Sequence, residues 1–142
     1  MPRKAAGTTK GTSNKTSGNK FEAEFCQFLF EHGFWSHNMA QNSAGQPADV
    51  IAVKDGKGYL IDCKVCDKNE FKLDRIEPNQ DSAMKLWEMV GNGIGWFALK
   101  IDDGIYMINY PNMIYWQKRQ SNFNKDEIKS IGIPLREWIK SC

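Results

Sequence analysis

The chain has 142 residues, 41% of them hydrophobic, and a formal net charge of +2 at pH 7. This length supports one sizeable hydrophobic core but is short for two, and no apolar run reaches the length of a membrane span. Because the small, basic residues at the N-terminus also lack the apolar stretch of a signal peptide, we expect a cytoplasmic protein that does not engage a membrane.

The charge is distributed unevenly. Residues 1–20 hold five basic side chains and no acidic one, and removing these five from the total of 19 leaves 14 basic against 17 acidic residues. Residues 1–18 are rich in Gly, Ser, Thr, Lys and Asn without apolar periodicity, which predicts a disordered basic arm. Such an arm suits either contact with a polyanion or simple solubilisation. Residues 19–142 are expected to form one domain.

The first half of that domain predicts one helix and three strands. Phe21, Phe25 and Leu29 fall at helical spacing, and Gly33 provides a stop, so residues 19–32 read as an amphipathic helix. A short strand over 34–39 and a polar loop over 41–47 follow. The apolar runs 49–54 and 59–65 flank an Asp-Gly-Lys-Gly segment, which is a strong hairpin signal. Both runs are apolar at odd and even positions, so we expect central strands covered on two faces.

The second half alternates helices and strands. Pro78 opens a helix that ends at Gly91. Residues 96–101 and 105–109 form a second predicted hairpin, and further helices are expected near 111–120 and after Pro134. Strands interleaved with helices predict an α/β domain with a central mixed β-sheet flanked by helices.

The first hairpin brings charged residues together. If Gly56 and Lys57 form a two-residue loop, Asp49 faces Lys64 and Ile51 faces Asp62. Asp62 and Lys64 then share a face with Asp49, whereas a loop of odd length would separate them.

Two carboxylates and an ammonium group on an apolar sheet need a physical reason. Buried charges are costly unless they are paired or bind a metal, and neighbouring carboxylates repel until a cation neutralises them. A hard divalent ion such as Mg²⁺ suits this set, because it can polarise a phosphoryl oxygen and activate water. The alternative is a structural salt bridge between Lys64 and one of the acids. Pro47 ahead of the first acid and an upstream helical acid, Glu22, favour the metal site.

The segment Pro47-Ala48-Asp49-Val50-Ile51, followed by Ile61-Asp62-Cys63-Lys64, resembles the motif of the PD-(D/E)xK nuclease superfamily. Residues 18–24, 29–34 and 42–45 are similar to Holliday-junction resolvases of the Hjc and RecU kind. The resemblance implies a restriction-endonuclease-like fold and a nuclease domain over 19–142. It also implies a homodimer, Mg²⁺ or Mn²⁺, no small-molecule cofactor, and paired symmetric nicks in branched DNA with four arms.

The same resemblance assigns roles by position. Three acids become metal ligands, a lysine becomes catalytic, a loop serine approaches the scissile phosphate, and a helical glutamine supports the site: Glu22, Asp49, Asp62, Lys64, Ser43 and Gln80. Two departures concern the acids: Asp62 stands where these resolvases usually carry Glu, and Ala48 separates Pro47 from the first Asp. Glu24 is a rival for Glu22, although the two point to different helix faces.

DNA contacts are expected beside this motif. Lys68, Lys72 and Arg75 follow the strand that carries Lys64, and with Lys20 and Ser43 they form the predicted DNA-binding set, the alternative being a solvated loop. Cys63 and Cys66 form a CxxC without a second ligand pair, which is weak evidence for zinc. Two other functions stay open: a different DNA nuclease of the superfamily, acting on duplexes or ends, and a junction-binding protein without catalysis.

Overall fold

The computed structural model of the protein describes residues 10–39 and 47–142, with side chains from Ser17 onward. Eight strands lie in this part of the chain: β1 (Trp35–Asn38), β2 (Val50–Lys54), β3 (Lys57–Val65), β4 (Phe71–Lys72), β5 (Trp96–Ile101), β6 (Gly104–Asn109), β7 (Asn122–Phe123) and β8 (Ile133–Pro134). Six of them form one sheet in the order β1-β2-β3-β5-β6-β8, and β4 pairs with β7. The β3–β5 pair is parallel and its neighbours are antiparallel, so the predicted mixed sheet is confirmed.

Helices cover both faces of the sheet. They are α1 (Lys10–Glu31), α2 (Pro78–Met89), α3 (Tyr110–Gln117), α4 (Lys125–Ile131) and α5 (Leu135–Ser141). Apolar side chains of α1 and α5 pack on one face, and those of α2, α3 and α4 pack on the other. Strand β3 lies between the two cores. Because side chains alternate along a strand, Ile61 and Cys63 point toward α1, while Asp62 and Lys64 point toward α2.

Helix α1 is longer than its sequence pattern predicts. Phe21, Phe25 and Leu29 are buried against the sheet, as their spacing requires, and Gly33 ends the helix with a φ of 90°. The helix nevertheless begins at Lys10 rather than at residue 19, so residues 10–18 of the expected disordered arm are helical. Extending an existing helix costs much less than nucleating one, which offsets the weak propensity of that segment. Residues 1–9 of the arm lie outside the described residues.

The first hairpin has the predicted loop length but a different register. Lys54 pairs with Lys57, so the loop is Asp55–Gly56 rather than Gly56–Lys57. Both loop residues have positive φ, 51° and 77°, as a type I′ turn requires, and Asp-Gly accepts this conformation more readily than Gly-Lys.

The shifted register changes which residues oppose each other. Val50 pairs with Ile61, and continuing by one residue places Asp49 opposite Asp62. The predicted pairings of Asp49 with Lys64 and of Ile51 with Asp62 are therefore wrong. The shift moves every partner by two positions, so each side chain keeps its face.

The second half of the chain follows the predicted order. The β5–β6 hairpin pairs Ile101 with Gly104 across Asp102 and Asp103, and α2 runs from Pro78 to a stop before Gly91, whose φ is 93°. Helix α4 was not predicted, although the side chain of Asn124 caps it at Glu127 in a capping box. None of the helices described here is long and apolar enough to cross a membrane.

Candidate active site

The site forms where β2 and β3 separate. The ladder ends at the Val50–Ile61 pair, so the outer edge of β3 loses its strand partner from Asp62 onward. The Asp49 carboxylate takes over part of that role, because its Oδ2 accepts the backbone N–H of Cys63 at 2.7 Å. Asp49 is 6% exposed and is fixed beside β3. Its position therefore follows from the point at which the hairpin opens.

Asp62 is the most deeply buried acid of the site. Its side chain is inaccessible to solvent, Oδ1 accepts a hydrogen bond from Gln80 Nε2 at 3.1 Å, and Oδ2 lies 3.1 Å from Lys64 Nζ. The ammonium group is close to Oδ2 but not aligned for a hydrogen bond, and no other donor among the described residues reaches this oxygen. Burial, with a further contribution from Asp49, raises the pKa of Asp62 well above its ordinary value, against the opposing charge of Lys64.

Lys64 is held by three acceptors on the same side of β3. Its ammonium group donates to the Arg75 carbonyl oxygen at 3.2 Å and to Gln80 Oε1 at 3.4 Å, and it forms the ion pair with Asp62. The residue is buried, so the charge acts in a low-dielectric setting where it is weakly screened. The contact with the Arg75 carbonyl ties it to the turn that follows β4.

Gln80 links the acid to the lysine. It occupies the third position of α2, where its Oε1 also accepts the backbone N–H of Glu77 at 3.1 Å and completes a capping box. One amide side chain therefore starts the helix, donates to Asp62 and accepts from Lys64. The predicted supporting glutamine lies at the centre of the predicted cluster.

Glu22 reaches the site from α1. It is buried beside Asp49, and burial together with the Asp49 charge raises the pKa of Glu22 to about 7. Glu24 lies on the exposed side of the helix, where its Oε1 is 4.0 Å from Lys100 Nζ. Glu22 therefore lies beside Asp49, whereas Glu24 lies on the exposed side of α1.

The donor set matches the chemistry of a hard divalent cation. Glu22 of α1 and Asp62 of β3 each lie close enough to Asp49 for its charge to raise their pKa, and Asp62 Oδ2 has the Lys64 ammonium group as its partner. Oxygen ligands of this kind suit Mg²⁺, which is often held by one or two carboxylates with water and phosphate oxygens completing its shell. Within residues 10–39 and 47–142, no three His, Cys, Asp or Glu side chains form a ready-made metal cage. The fit therefore depends on carboxylates with water and substrate oxygens.

Predicted DNA-contacting residues lie beside the acids. Lys68, Lys72 and Arg75 are exposed and line an open cavity of about 550 Å³, which Ser17 and Gly18 of α1 and Cys63 of β3 also line. Lys20 is exposed on α1 but does not line this cavity. Ser43 falls among residues 40–46, outside the described residues.

Two features of the site were missed from the sequence. The backbone carbonyl of Arg75 holds Lys64, while the Arg75 guanidinium donates to the Val65 carbonyl oxygen at 3.0 Å. A contact with a backbone carbonyl does not depend on the residue type, so the sequence does not indicate it. The second feature is the capping box of α2, which the sequence does carry: Glu77, Pro78 and Gln80 form an acid-Pro-x-Gln pattern that signals a helix start.

Comparison with known proteins identifies a structural relative and a matching family model. The solved structure of the Holliday junction resolvase Hjc from the archaeal hyperthermophile Archaeoglobus fulgidus matches with a TM-score of 0.63 and 14% sequence identity, over 87% of this chain and 96% of that chain. The fold is thus restriction-endonuclease-like. No curated protein sequence matches the chain. The family model for the archaeal Holliday junction resolvase (Hjc) matches residues 13–142. The chain therefore belongs to the Hjc family of archaeal Holliday junction resolvases.

Proposed function

We propose that this protein is a Mg²⁺-dependent endodeoxyribonuclease that resolves four-way DNA junctions by phosphodiester hydrolysis, with Mn²⁺ as a substitute metal. The observation that carries the proposal is the buried Asp62 carboxylate. It is inaccessible to solvent and lies next to a second acid, Asp49, with the Lys64 ammonium group 3.1 Å from its Oδ2. One ammonium group beside two neighbouring buried carboxylates leaves negative charge that a divalent cation would neutralise.

Asp49, Asp62 and Glu22 would hold the metal. When bound, such an ion polarises a phosphoryl oxygen and lowers the pKa of a water molecule. Asp49 is already fixed by the Cys63 N–H, and Asp62 by Gln80, so two of the three acids need little reordering. Glu22, whose pKa of about 7 keeps much of it protonated in the free protein, would release its proton when the cation arrives.

Lys64 would act on the reacting phosphate. Its ammonium group is held by neutral acceptors on Arg75 and Gln80 in addition to Asp62, so a positive charge is positioned before substrate arrives. That charge would stabilise the negative charge that develops on the phosphorane, which is the main electrostatic contribution in such reactions. Lys64 could also orient the attacking water.

The DNA backbone would pass along the open cavity beside the acids. Lys68, Lys72 and Arg75 line it together with Asp67 and Glu70, an excess of one positive charge, and cationic side chains neutralise phosphates irrespective of base sequence. We assign Ser43 to the same role by its position in the resolvase-like sequence pattern, and Lys20 by its positive charge. A nuclease that recognises junction shape needs such contacts more than base-specific ones.

A comparison of substrates tests this function. Purified full-length protein is incubated with a four-way junction, a linear duplex and a flap of the same sequence, in Mg²⁺ and in chelator. We expect paired nicks in opposite strands of the junction, in Mg²⁺ only. Preferential cleavage of duplex or flap would instead indicate another nuclease activity of the superfamily. Junction binding without cleavage in either Mg²⁺ or Mn²⁺ would indicate a binding protein.

A further inference from the structure

A stacked pair of side chains lies on the exposed side of α3. Tyr115 is 48% exposed, and the central carbon of the Arg119 guanidinium group lies 3.6 Å from the centroid of the Tyr115 ring. The guanidinium group also donates a hydrogen bond to the Tyr115 carbonyl oxygen at 2.7 Å, which holds the two side chains together. Met113, two positions before Tyr115, is buried, and positions two apart on a helix differ by about 200°. Tyr115 therefore points to solvent, and we refer to Tyr115 and Arg119 as the α3 stack.

The cations of this part of α3 lack acidic partners. Residues 104–124 contain Lys118 and Arg119 but no acidic residue. Across residues 17–39 and 47–142, no carboxylate forms an ion pair with either of them. Asp81, which lines an open cavity together with Lys118, is already paired with Lys85. Unpaired surface cations favour an anionic partner, and an aromatic ring beside them favours one that carries flat bases.

The α3 stack is supported by aromatic rings beneath it. The rings of Tyr115 and Trp116 meet edge to face with their centroids 5.2 Å apart, and Trp116 contacts the buried ring of Phe123 in the same way at 6.4 Å. Phe123 belongs to β7, which pairs with β4. The α3 stack is therefore anchored to the two-stranded sheet that also carries Lys72.

The same sheet places the α3 stack near the cavity beside the acids. Lys72 lines that cavity and pairs with Asn122 of β7. Arg119 precedes Asn122 by three residues, which span at most about 11 Å, and paired strands lie about 5 Å apart. The Cα atoms of Lys72 and Arg119 are therefore separated by no more than about 16 Å, a length that duplex DNA covers in about five base pairs.

The turn Leu73–Arg75 connects α3 with the active site. Gln117 of α3 donates its Nε2 to the Leu73 carbonyl oxygen at 3.1 Å, and the Arg75 carbonyl oxygen accepts from Lys64 at 3.2 Å. One turn of three residues thus contacts both α3 and the lysine of the site. DNA that is bound at the acids and continues past this turn would reach the α3 stack.

We infer that the α3 stack binds the exposed face of a base at the centre of a four-way junction, an inference that rests on the proposed function. Base pairs inside a duplex are stacked on both sides, whereas those that border the point where four arms meet can lose one stacking neighbour. Bases exposed in this way stack on aromatic rings and on guanidinium planes, with little dependence on sequence. The α3 stack would contribute selectivity for branched DNA, and the lysines of the cavity would contribute affinity for any DNA.

Binding of full-length protein to a junction and to a duplex of matched sequence, both in chelator, tests the inference. Tyr115→Ala should weaken junction binding by about 10-fold or more, the usual effect of removing a ring on which a base stacks, and leave duplex binding unchanged. Tyr115→Phe keeps the ring and should bind like the unmodified chain. Arg119→Lys keeps the charge without the plane, so it should lower junction selectivity and preserve the slope of log K against log salt. Phe30→Ala, which removes a 62% exposed ring from α1, is the matched control and should change neither affinity.

Photocrosslinking of the unmodified chain provides a readout that needs no variant. The photoreactive base 5-iodouracil, placed at the centre of the junction, should crosslink to Tyr115, and the same base in the middle of an arm should not. Equal loss of junction and duplex binding in Tyr115→Ala would overturn the inference, because the ring would then contact DNA irrespective of branching. Unchanged binding without a crosslink would also overturn it, because the α3 stack would then be an internal contact only.

Junction cleavage in Mg²⁺ separates this inference from the proposed function. An unmodified chain that crosslinks through Tyr115 but cuts no junction would refute the proposed function alone. A chain that cuts junctions while Tyr115→Ala keeps full selectivity for them would refute this inference alone.

Discussion

Gln80 donates its Nε2 to Asp62 at 3.1 Å and accepts from Lys64 with its Oε1 at 3.4 Å. The same Oε1 also accepts the Glu77 N–H that begins α2. The helix start and the relative placement of acid and lysine therefore depend on one amide. Strand β4 and its flanking turns separate β3 from α2, so the first turn of α2 reaches back to the acid and the lysine of β3.

We predict that Gln80→Ala lowers junction cleavage by about 10- to 100-fold, the usual cost of removing a group that orients metal-binding side chains. The substitution also leaves Asp62 Oδ1 and the Glu77 N–H without a hydrogen-bond partner, so the free energy of unfolding should fall by about 1–3 kcal/mol. Single-turnover cleavage and urea unfolding measure the two effects. Gln27→Ala, at an exposed position of α1, is the control, and equal rates for the two variants would contradict the role of Gln80.

Replacement of Lys64 by Met should separate metal binding from cleavage. The hydrophobic stem is kept while the charge is lost, so cleavage should fall by about 100- to 1,000-fold, as for other charge-stabilising groups. The acids stay in place, and Mg²⁺ affinity measured by calorimetry should be retained or increased, because a nearby positive charge is gone. A variant that loses Mg²⁺ binding together with cleavage would show that Lys64 maintains the site rather than acting on the phosphate.

The stability of the metal-free protein should depend on the ionisation of Glu22. The folded protein keeps this proton up to about pH 7, whereas the unfolded chain releases it near 4.5. Between these values the folded state binds more protons, so the free energy of unfolding falls as pH rises from about 4.5 to about 7. Glu22→Gln should remove that part of the slope in urea titrations with chelator, and the exposed Glu24→Gln should not. An unchanged slope in Glu22→Gln would refute the assignment.

Mg²⁺ should reverse this trend. The acids must be deprotonated to bind it, so added Mg²⁺ should raise the melting temperature more at pH 8 than at pH 5. Differential scanning fluorimetry at both pH values, with Asp49→Asn as the control, measures the effect. Equal shifts in the unmodified chain and in Asp49→Asn would place the cation elsewhere.

The lysines of the cavity should contribute to DNA affinity through charge alone. Lys68→Ala with Lys72→Ala should weaken junction binding in chelator and reduce the slope of log K against log salt by about 0.9 per lysine. The matched control is Lys125→Ala with Lys129→Ala, a half-buried and an exposed lysine that both pair with Asp103. If the control pair reduced the slope as much as the cavity pair, the DNA path would lie on another surface.

The sequence predicts that the acids and the lysine share one face of the sheet because alternate residues of a strand point to the same side. Asp62 and Lys64 are two apart on one strand, and any even hairpin loop keeps Asp49 on their face, so a wrong register still gives the right cluster. The position of the loop could have been predicted from Asp55-Gly56, a dipeptide that tolerates two positive φ values. No sequence pattern indicates where β2 and β3 separate. That separation lets the Asp49 carboxylate accept the Cys63 N–H.

Short or weakly patterned elements were harder to predict. Strands β4 and β7 have two residues each, and a stretch of two has no detectable periodicity. Helix α4 spans seven residues, and its capping box at Asn124 was its clearest signal. The N-terminal extension of α1 has a composition typical of disorder, and its helical state depends on the packed helix that follows.

The central claim is that Asp62 belongs to a metal-dependent cleavage site for branched DNA, and one measurement tests it most directly. Single-turnover cleavage of a labelled four-way junction in Mg²⁺ is compared for the unmodified chain, Asp62→Asn and the exposed control Asp126→Asn. Neutralising a deeply buried acid whose pKa is already raised should leave the fold at least as stable. We predict that Asp62→Asn remains folded, binds the junction and does not cut it, while Asp126→Asn cuts normally. Cleavage by folded Asp62→Asn at the rate of the unmodified chain would contradict the account.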